Sequence, residues 1–290
     1  MHAVAEASRN VACAGARPVA ATNCLNFGNP EKPEVMWQFS EAIDGIAEAC
    51  RALDVPITGG NVSFYNETLG KPIYPTPILG VLGLMEDASC ALGSGFQSEG
   101  DAIVLLDGSE GARHENVEEM RREFSSSGYA KTIHGVVGGK PPAVDLAAEK
   151  RLIECLVQLA SEKAIRSAHD VSDGGLAVTI AESCFGSEGL SADVALDSAT
   201  SAGGKDEPAE FALFGERGAR AVVSISAASL ARVREIAAQW KVRATRIGTV
   251  TRGDLRIQYP GHSGAAVIEG ALGALREIWS RSLAKALESE

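Results

Sequence analysis

The sequence predicts an α/β protein of the α+β type, with mixed sheets covered by helices. Three observations carry this. Apolar runs of strand length alternate with amphipathic helical segments, but irregularly, which disfavours one doubly wound parallel sheet. The chain has 290 residues, 45% hydrophobic and 22% charged, so it can bury one large core or two smaller ones. A stretch of small and polar residues, 87–100, interrupts the pattern as a linker. It separates a first unit, 1–86, from a second, 101–260, with a closing strand and C-terminal helix over 261–290.

Each element has its own signal. Val4, Ala5, Ala7, Val11 and Ala12 recur at helical spacing over 1–14, with no capping residue before them, so upstream sequence is expected to belong to the fold. Residues 17–22 read as a strand entering a polar loop that holds Asn23, Asn26, Gly28 and Asn29. Met36, Phe39, Ile43, Ile46, Cys50 and Leu53 then form one apolar stripe of a long helix, with Pro33 near its start. Residues 55–58 are a short strand leading into a second polar loop, Gly59-Gly60-Asn61-Val62-Ser63. An apolar strand pair over 73–84 carries Pro75 and Pro77, which favours an edge or a bulge.

Beyond the linker, 102–106 is a buried strand, 115–124 a charged surface helix, 125–142 an irregular loop and 145–163 a long helix. Then follow a strand at 166–169, a helix at 174–185, a strand at 190–196 and a low-order stretch at 197–208. Strands at 221–225, 242–250, 255–259 and 265–268, with helices at 229–240 and 271–287, complete the chain. Leu213-Phe214-Gly215-Glu216 reads as a turn or the edge of a site, the turn being preferred.

A net charge of −11 argues against nucleic-acid or membrane-surface binding, which need basic patches. An anionic ligand stays open, because backbone N–H groups and a bound cation supply local positive potential. The six cysteines form no C-x-x-C pair and fit reduced, mostly buried thiols of a cytosolic protein. No signal peptide and no bilayer-spanning apolar run is evident.

Three motifs carry chemistry. In Gly59–Ser63, adjacent glycines let backbone approach a ligand, the Asn61 amide oxygen suits Mg²⁺, and the Ser63 hydroxyl can donate to phosphate. A glycine turn capped by Asn and Ser explains the same residues. The loop from Asn23 to Asn29 is either a neutral hydrogen-bonding surface or a cluster of Asx turns. His169-Asp170-Val171-Ser172-Asp173-Gly174-Gly175-Leu176 lies between a strand and a helix and suits metal-linked phosphate binding, or an N-cap by Ser172 or Asp173. His169 is a proton donor or a hydrogen-bonded structural residue; His2, His114, His134 and His262 have no partner pattern. No G-x-S-x-G, Walker lysine loop or G-x-G-x-x-G is present.

Residues 21–34 (Ala-Thr-Asn-Cys-Leu-Asn-Phe-Gly-Asn-Pro-Glu-Lys-Pro-Glu), 59–67, 74–77 (Tyr-Pro-Thr-Pro) and 169–176 together closely resemble the synthetase subunits of phosphoribosylformylglycinamidine synthases, of the aminoimidazole-ribonucleotide-synthetase-like superfamily. The resemblance implies part of an N-terminal-type domain followed by a C-terminal-type domain, from the second of two tandem halves. It implies a cytoplasmic, ATP-dependent C–N ligase of purine biosynthesis: ATP activates the formylglycinamide oxygen, and ammonia from a glutaminase subunit displaces phosphate. Carried over, Gly60 and Asn23 contact ATP, Asn61 binds Mg²⁺, and Ser63 contacts the formylglycinamide ribonucleotide. Asp170, Ser172, Asp173 and Gly174 belong to an auxiliary nucleotide or phosphate site. Asn23 stands where many members carry Asp, which keeps the oxygen but loses the charge. The family's catalytic histidines lie in the first half, so no catalytic residue is expected in this chain, and turnover is expected to need that half. A glutaminase subunit and a small accessory subunit are the other implied partners, with no nucleic acid and no membrane. Half a domain at the N-terminus is expected to leave an apolar face exposed. The alternative is a non-catalytic nucleotide-binding scaffold module of the same superfamily.

Overall fold

The computed structural model describes residues 1–109, 116–197, 207–261 and 264–288; His114, Glu115, His262 and most of the 197–208 stretch lie outside them. The first part of the chain gives α1 (His2–Cys13), β1 (Arg17–Asn26), α2 (Pro33–Leu53), β2 (Ile57–Ser63), a small hairpin of β3 (Glu67–Thr68) and β4 (Lys71–Pro72), and β5 (Thr76–Leu84). Pro33 sits in the first turn of α2, and Asp54 closes that helix in the left-handed region at φ 57°. The strands form a sheet in the order β2-β1-β5, parallel between β1 and β2 and antiparallel between β1 and β5. β5 is an edge strand, which is how Pro77 is accommodated.

Two sequence expectations are corrected here. Asn23 and Asn26 are not in a loop but in the second half of β1, and Gly59–Ser63 is not a loop but the body of β2. Each pairs with the other, Asn23 with Gly60, Cys24 with Asn61 and Asn26 with Ser63. Cross-strand pairing outweighs the weak local strand preference of Asn and Gly. Likewise the strand pair expected over 73–84 is a single strand, β5, over Thr76–Leu84.

The second part contains β6 (Ala102–Asp107), α3 (Val117–Phe124), α4 (Gly128–His134), α5 (Leu146–Ser161), β7 (Ser167–Asp170), α6 (Gly175–Phe185), β8 (Ser191–Ala195), α7 (Ala209–Phe214), β9 (Arg220–Ile225), α8 (Leu230–Gln239), β10 (Arg243–Thr251), β11 (Asp254–Gly261), β12 (Gly264–Ala271) and α9 (Leu272–Glu288). Seven strands form a sheet in the order β12-β11-β8-β10-β6-β9-β7, antiparallel except for the β8–β11 pair. The mixed sheets match the expected class.

Helix α4 was not expected. The Ser127 hydroxyl caps it by accepting from Ala130 N–H, Gly135 ends it at φ 65°, and Tyr129 stacks on Phe214 with centroids 4.4 Å apart. Leu213 and Phe214 are also not in a turn: they end α7, where an aromatic cluster with Phe124 and Phe211 holds them.

The period of β6 shows where the core lies. Ala102, Val104 and Leu106 face one cluster, with Leu152, Leu156 and Val223; Ile103 and Leu105 face another, with Leu176, Ile180 and Val222. A strand buried on both faces needs an unbroken apolar run, which is what 102–106 is. The first cluster continues through Val4, Ala12, Leu25 and Leu53, so α1 and α2 share one core with α5. The 87–100 segment packs as it connects: Phe96 is buried, Leu92 N–H donates to Ala14, and Phe96 N–H to Ser183.

Candidate functional site

Two groups of sequence-singled residues are held by different sheets. The first is on β1 and β2. Side chains alternate along a strand, and Ala21 and Leu25 are buried toward the helices, so Asn23 faces that way too. A Cβ on Gly60 would meet the Asn23 carbonyl oxygen at 2.5 Å, so Gly60 is required where the two strands approach. Gly59 has open space around its Cα. Asn61 and Ser63 stand on the opposite face with Cys24 and Asn26. The structure thus brings Asn61 and Ser63 together, and Asn23 and Gly60 together, but puts the two pairs on opposite faces of the sheet. β2 is an edge strand, so a ligand lying across its edge at Gly59–Gly60 can reach both faces.

Ser63 is the best anchored of these. Asn66 Nδ2 donates to Phe27 O and Ser63 O, each at 3.0 Å, and the Ser63 hydroxyl donates to Asn66 Oδ1 at 3.3 Å. Lys32 Nζ donates to Glu67 Oε1 at 2.7 Å, tying the entrance of α2 to the hairpin after β2. Among the described residues no side-chain partner holds the Asn61 amide, which is exposed. No group of three or more His, Cys, Asp or Glu side chains suited to a metal occurs among the described residues. The exposed Asn61 amide presents one neutral oxygen, a ligand type that hard cations accept.

The second group lies where β7 meets α6. Gly174, in the left-handed region at φ 76°, is the N-cap of α6, and no side chain caps it. The N-cap reading of Ser172 and Asp173 is thereby corrected: the glycine turns the chain by itself, and Ser172 contributes its carbonyl to Gly175 N–H. A Cβ on Gly175 (φ 69°) would lie 2.6 Å from the Phe214 carbonyl carbon, so this glycine is set by close packing against α7. Glu216 Oε1 accepts from Gly174 N–H at 3.0 Å and from Gly128 N–H at 2.8 Å, joining the starts of α6 and α4. Glu216 is therefore at the site, not in a free turn.

Asp170 is buried. It pairs with Arg9 on α1, Nη2 to Oδ2 at 3.3 Å, and Arg9 Nη1 also donates to the buried Glu149 at 2.7 Å. Glu149 accepts from Ala219 N–H at 2.7 Å as well. His169 Nδ1 bonds the Asp170 carbonyl at 2.9 Å and Nε2 faces Glu182 Oε2 at 3.3 Å. Burial by itself would lower the His169 pKa, but hydrogen bonds to Asp170 and Glu182 outweigh it and raise it to about 9. His169 is thus charged near neutral pH, paired with Asp170 and Glu182. Its hydrogen bond holds the Glu182 carboxyl below its usual range. Glu6 is shifted up by burial and then by Asp170. A cleft of about 310 Å³ runs past Glu6, Arg9, Ser172, Asp173 and Glu216. Its acidic lining suits a phosphate only together with a cation.

Sequence reasoning missed Glu6, Arg9, Glu149 and Glu182 as site groups, and preferred a turn to a site edge for Glu216. Arg9 offered one signal, a charge amid the apolar positions of α1, but its partners are 140 and 161 residues away. All six cysteines are free and five are buried; burial pushes the Cys155 and Cys184 thiols up to about 12, which makes them inert.

Comparison with known proteins joins these features to a family. Residues 1–85 match the model for the AIR synthase related protein N-terminal domain, and residues 98–260 that for its C-terminal domain. The phosphoribosylformylglycinamidine synthase subunit PurL of Thermobifida fusca is 47% identical over 249 residues, 86% of this chain and 30% of that protein. The corresponding PurL subunit of Moorella thermoacetica is 43% identical over 261 residues, 90% of this chain and 33% of that protein. The chain therefore spans about a third of the length of the curated relatives it matches. The solved structure of T. maritima PurL complexed with FGAR shares the fold, with a TM-score of 0.68 over 94% of this chain and 42% of that one, at 21% identity.

Proposed function

Since this chain belongs to the AIR synthase related protein family, we propose that it is the second-half portion of an ATP-dependent C–N ligase that converts formylglycinamide ribonucleotide and ammonia to the amidine in purine biosynthesis. The observation that carries this reading is the edge of β2. Gly60, Asn61 and Ser63 stand there in register with Asn23, Cys24 and Asn26 of β1, with an exposed Asn61 amide, a Ser63 hydroxyl and open space at the neighbouring Gly59. ATP would supply the phosphoryl group that makes the amide oxygen a leaving group. Gly60 would admit the nucleotide, Asn61 would give one oxygen to Mg²⁺, and Ser63 would hold the ribonucleotide. Asn23 would reach the nucleotide only across the β2 edge.

The active protein would include a first half bearing the catalytic histidines. The first sheet has a face suited to such a partner: Ile78, Leu82 and Leu84 project from β5 on the side away from α1 and α2, and Leu82 is 65% exposed. A glutaminase subunit supplying ammonia and a small accessory subunit would complete a cytoplasmic complex. No helix among the described residues is long and apolar enough to cross a membrane.

The 290-residue chain alone is expected to form no amidine from ATP, ammonia and the ribonucleotide, and to gain activity when a first-half polypeptide is added. Turnover by the chain alone would overturn this division of labour. Calorimetric titration tests the site itself. ATP with Mg²⁺ should bind, and Asn61→Ala should weaken Mg²⁺-dependent affinity by about tenfold or more while leaving Mg²⁺-free binding unchanged. Unchanged affinity in the presence of Mg²⁺ would remove Asn61 from the metal site.

A second reading rests on the acidic cleft before α6, where Asp170, Ser172, Asp173 and Gly174 would form an auxiliary nucleotide or phosphate site in a scaffold module. If nucleotide binding survives Asn61→Ala and the first half restores no activity, the scaffold reading holds.

A further inference from the structure

We infer that Ser63, Asn26 and Thr76 form one row of hydrogen-bond acceptors across the first sheet, and that this row takes the neutral N–H or O–H donors of the ribonucleotide, its amide or its sugar hydroxyls, rather than its phosphate. This deepens the reading of the β2 edge and rests on it. Asn26 on β1 stands in register with Ser63 on β2 and with Thr76 on β5. All three side chains lie on the face turned away from the buried Leu25. Neighbouring strands lie about 4.8 Å apart, so the row spans about 10 Å. Thr76 is exposed and the other two are half-buried, so a ligand on this face can reach them.

Each side-chain hydrogen of the row has a partner within the chain. Asn26 Nδ2 carries two, and Cys24 O and Thr76 O, each at 3.3 Å, accept them. Carbonyl oxygens only accept, so they also fix which end of the amide is nitrogen. Asn26 Oδ1 keeps two lone pairs and meets only the weak thiol donor of Cys24, at 3.9 Å. The Thr76 hydroxyl donates to Tyr74 O at 2.7 Å. Pro75 and Pro77 hold Tyr74 and Thr76, the residues before them, to extended backbone, which sets the two carbonyls that receive these hydrogens. The Ser63 hydroxyl donates to Asn66 Oδ1 at 3.3 Å, since both hydrogens of Asn66 Nδ2 go to Phe27 O and Ser63 O.

The row therefore offers oxygen lone pairs. Lone pairs repel a phosphate oxygen and accept from N–H and O–H groups. They are also neutral: β1, β2 and β5 contain no Asp or Glu, whereas Mg²⁺ sites draw on carboxylates and phosphates. A sugar bearing an amide arm has the donors that such a row lacks.

Calorimetry on the full chain with a first half present tests this, with melting temperature read in parallel. Thr76→Val keeps the shape and removes the oxygen, so it should weaken formylglycinamide ribonucleotide binding by about five- to tenfold. Thr76→Ser should restore it. Asn26→Ala and Ser63→Ala should each cost a similar factor, while ATP affinity stays within about twofold. The same losses are expected with the dephosphorylated nucleoside and in the absence of Mg²⁺. Ribose 5-phosphate separates the two donors: losses that persist with it assign the row to sugar hydroxyls, and losses confined to the full ribonucleotide assign it to the amide. Undiminished ribonucleotide affinity in Thr76→Val and Asn26→Ala would overturn the inference. So would a loss that vanishes with the nucleoside, which would make the row a phosphate site, or one that appears only with Mg²⁺, which would make it a cation site. If the unmodified chain, with a first half present, fails to bind the ribonucleotide at all, the parent reading fails and the inference with it.

Discussion

Arg9→Ala is expected to destabilise the chain by about 3–5 kcal/mol, the magnitude for removing one partner of a buried ion pair. Arg9 is 3% exposed and its guanidinium serves two buried carboxylates, Glu149 and Asp170. Without it both lose their counter-charge in a low-dielectric setting, where an unpaired ion is costly. Urea unfolding at neutral pH measures the loss. A loss below about 1 kcal/mol would show that the triad does not hold α1 against β7. α1 carries Val4, Ala5 and Ala12 into the shared core, so its release would loosen the first sheet as well.

The second large effect is pH dependence centred on His169. Its folded pKa of about 9 exceeds the ordinary 6.5, so folding binds the proton more tightly. The stabilisation is complete below about pH 6.5 and is lost as pH rises through about 9. The full shift is worth on the order of 3 kcal/mol. Glu182, held below its usual range by His169, contributes in the opposite sense and is lost as pH falls. The pair is therefore strongest in mildly acidic to neutral solution. Chemical unfolding at about pH 6 and about pH 9.5 should show the loss, and His169→Gln should flatten that slope. An equally steep slope in His169→Gln would assign the pH dependence to other groups. Because Glu182 also accepts from Trp279 Nε1 at 3.1 Å, the quantum yield of Trp279 reports the state of the pair at the α9 interface.

Much of the fold was legible from residue pattern. The stripe of α2, the unbroken apolar run of β6 and the alternation of strand and helix follow from periodicities of 3.6 and 2, which act over a few residues. Helix α4 was legible in principle, from Ser127 at its cap and Gly135 at its end, but its short length and polar neighbourhood hid it. The Asn- and Gly-rich segments were misread as loops because strand formation there is decided by the partner strand, 37 residues away for Asn23 and Gly60. The site residues carried by motif, Asn23, Gly60, Asn61, Ser63 and Asp170–Gly174, were named from order along the chain. Which of them face one another was not, since a shift of one position along a strand exchanges the two faces of the sheet.

By itself the sequence determined the class of fold, the helix faces, the motifs and through them the family. These rest on local spacing and residue type. Only the tertiary structure decided that Asn61 and Ser63 share a face while Asn23 looks the other way. It alone placed Arg9 between Glu149 and Asp170, and set the Asn66 amide against Ser63. Pairing register, burial and the meeting of charges from distant segments are properties of the packed chain. They arise when loop closure has brought those segments together, and no window of sequence contains them.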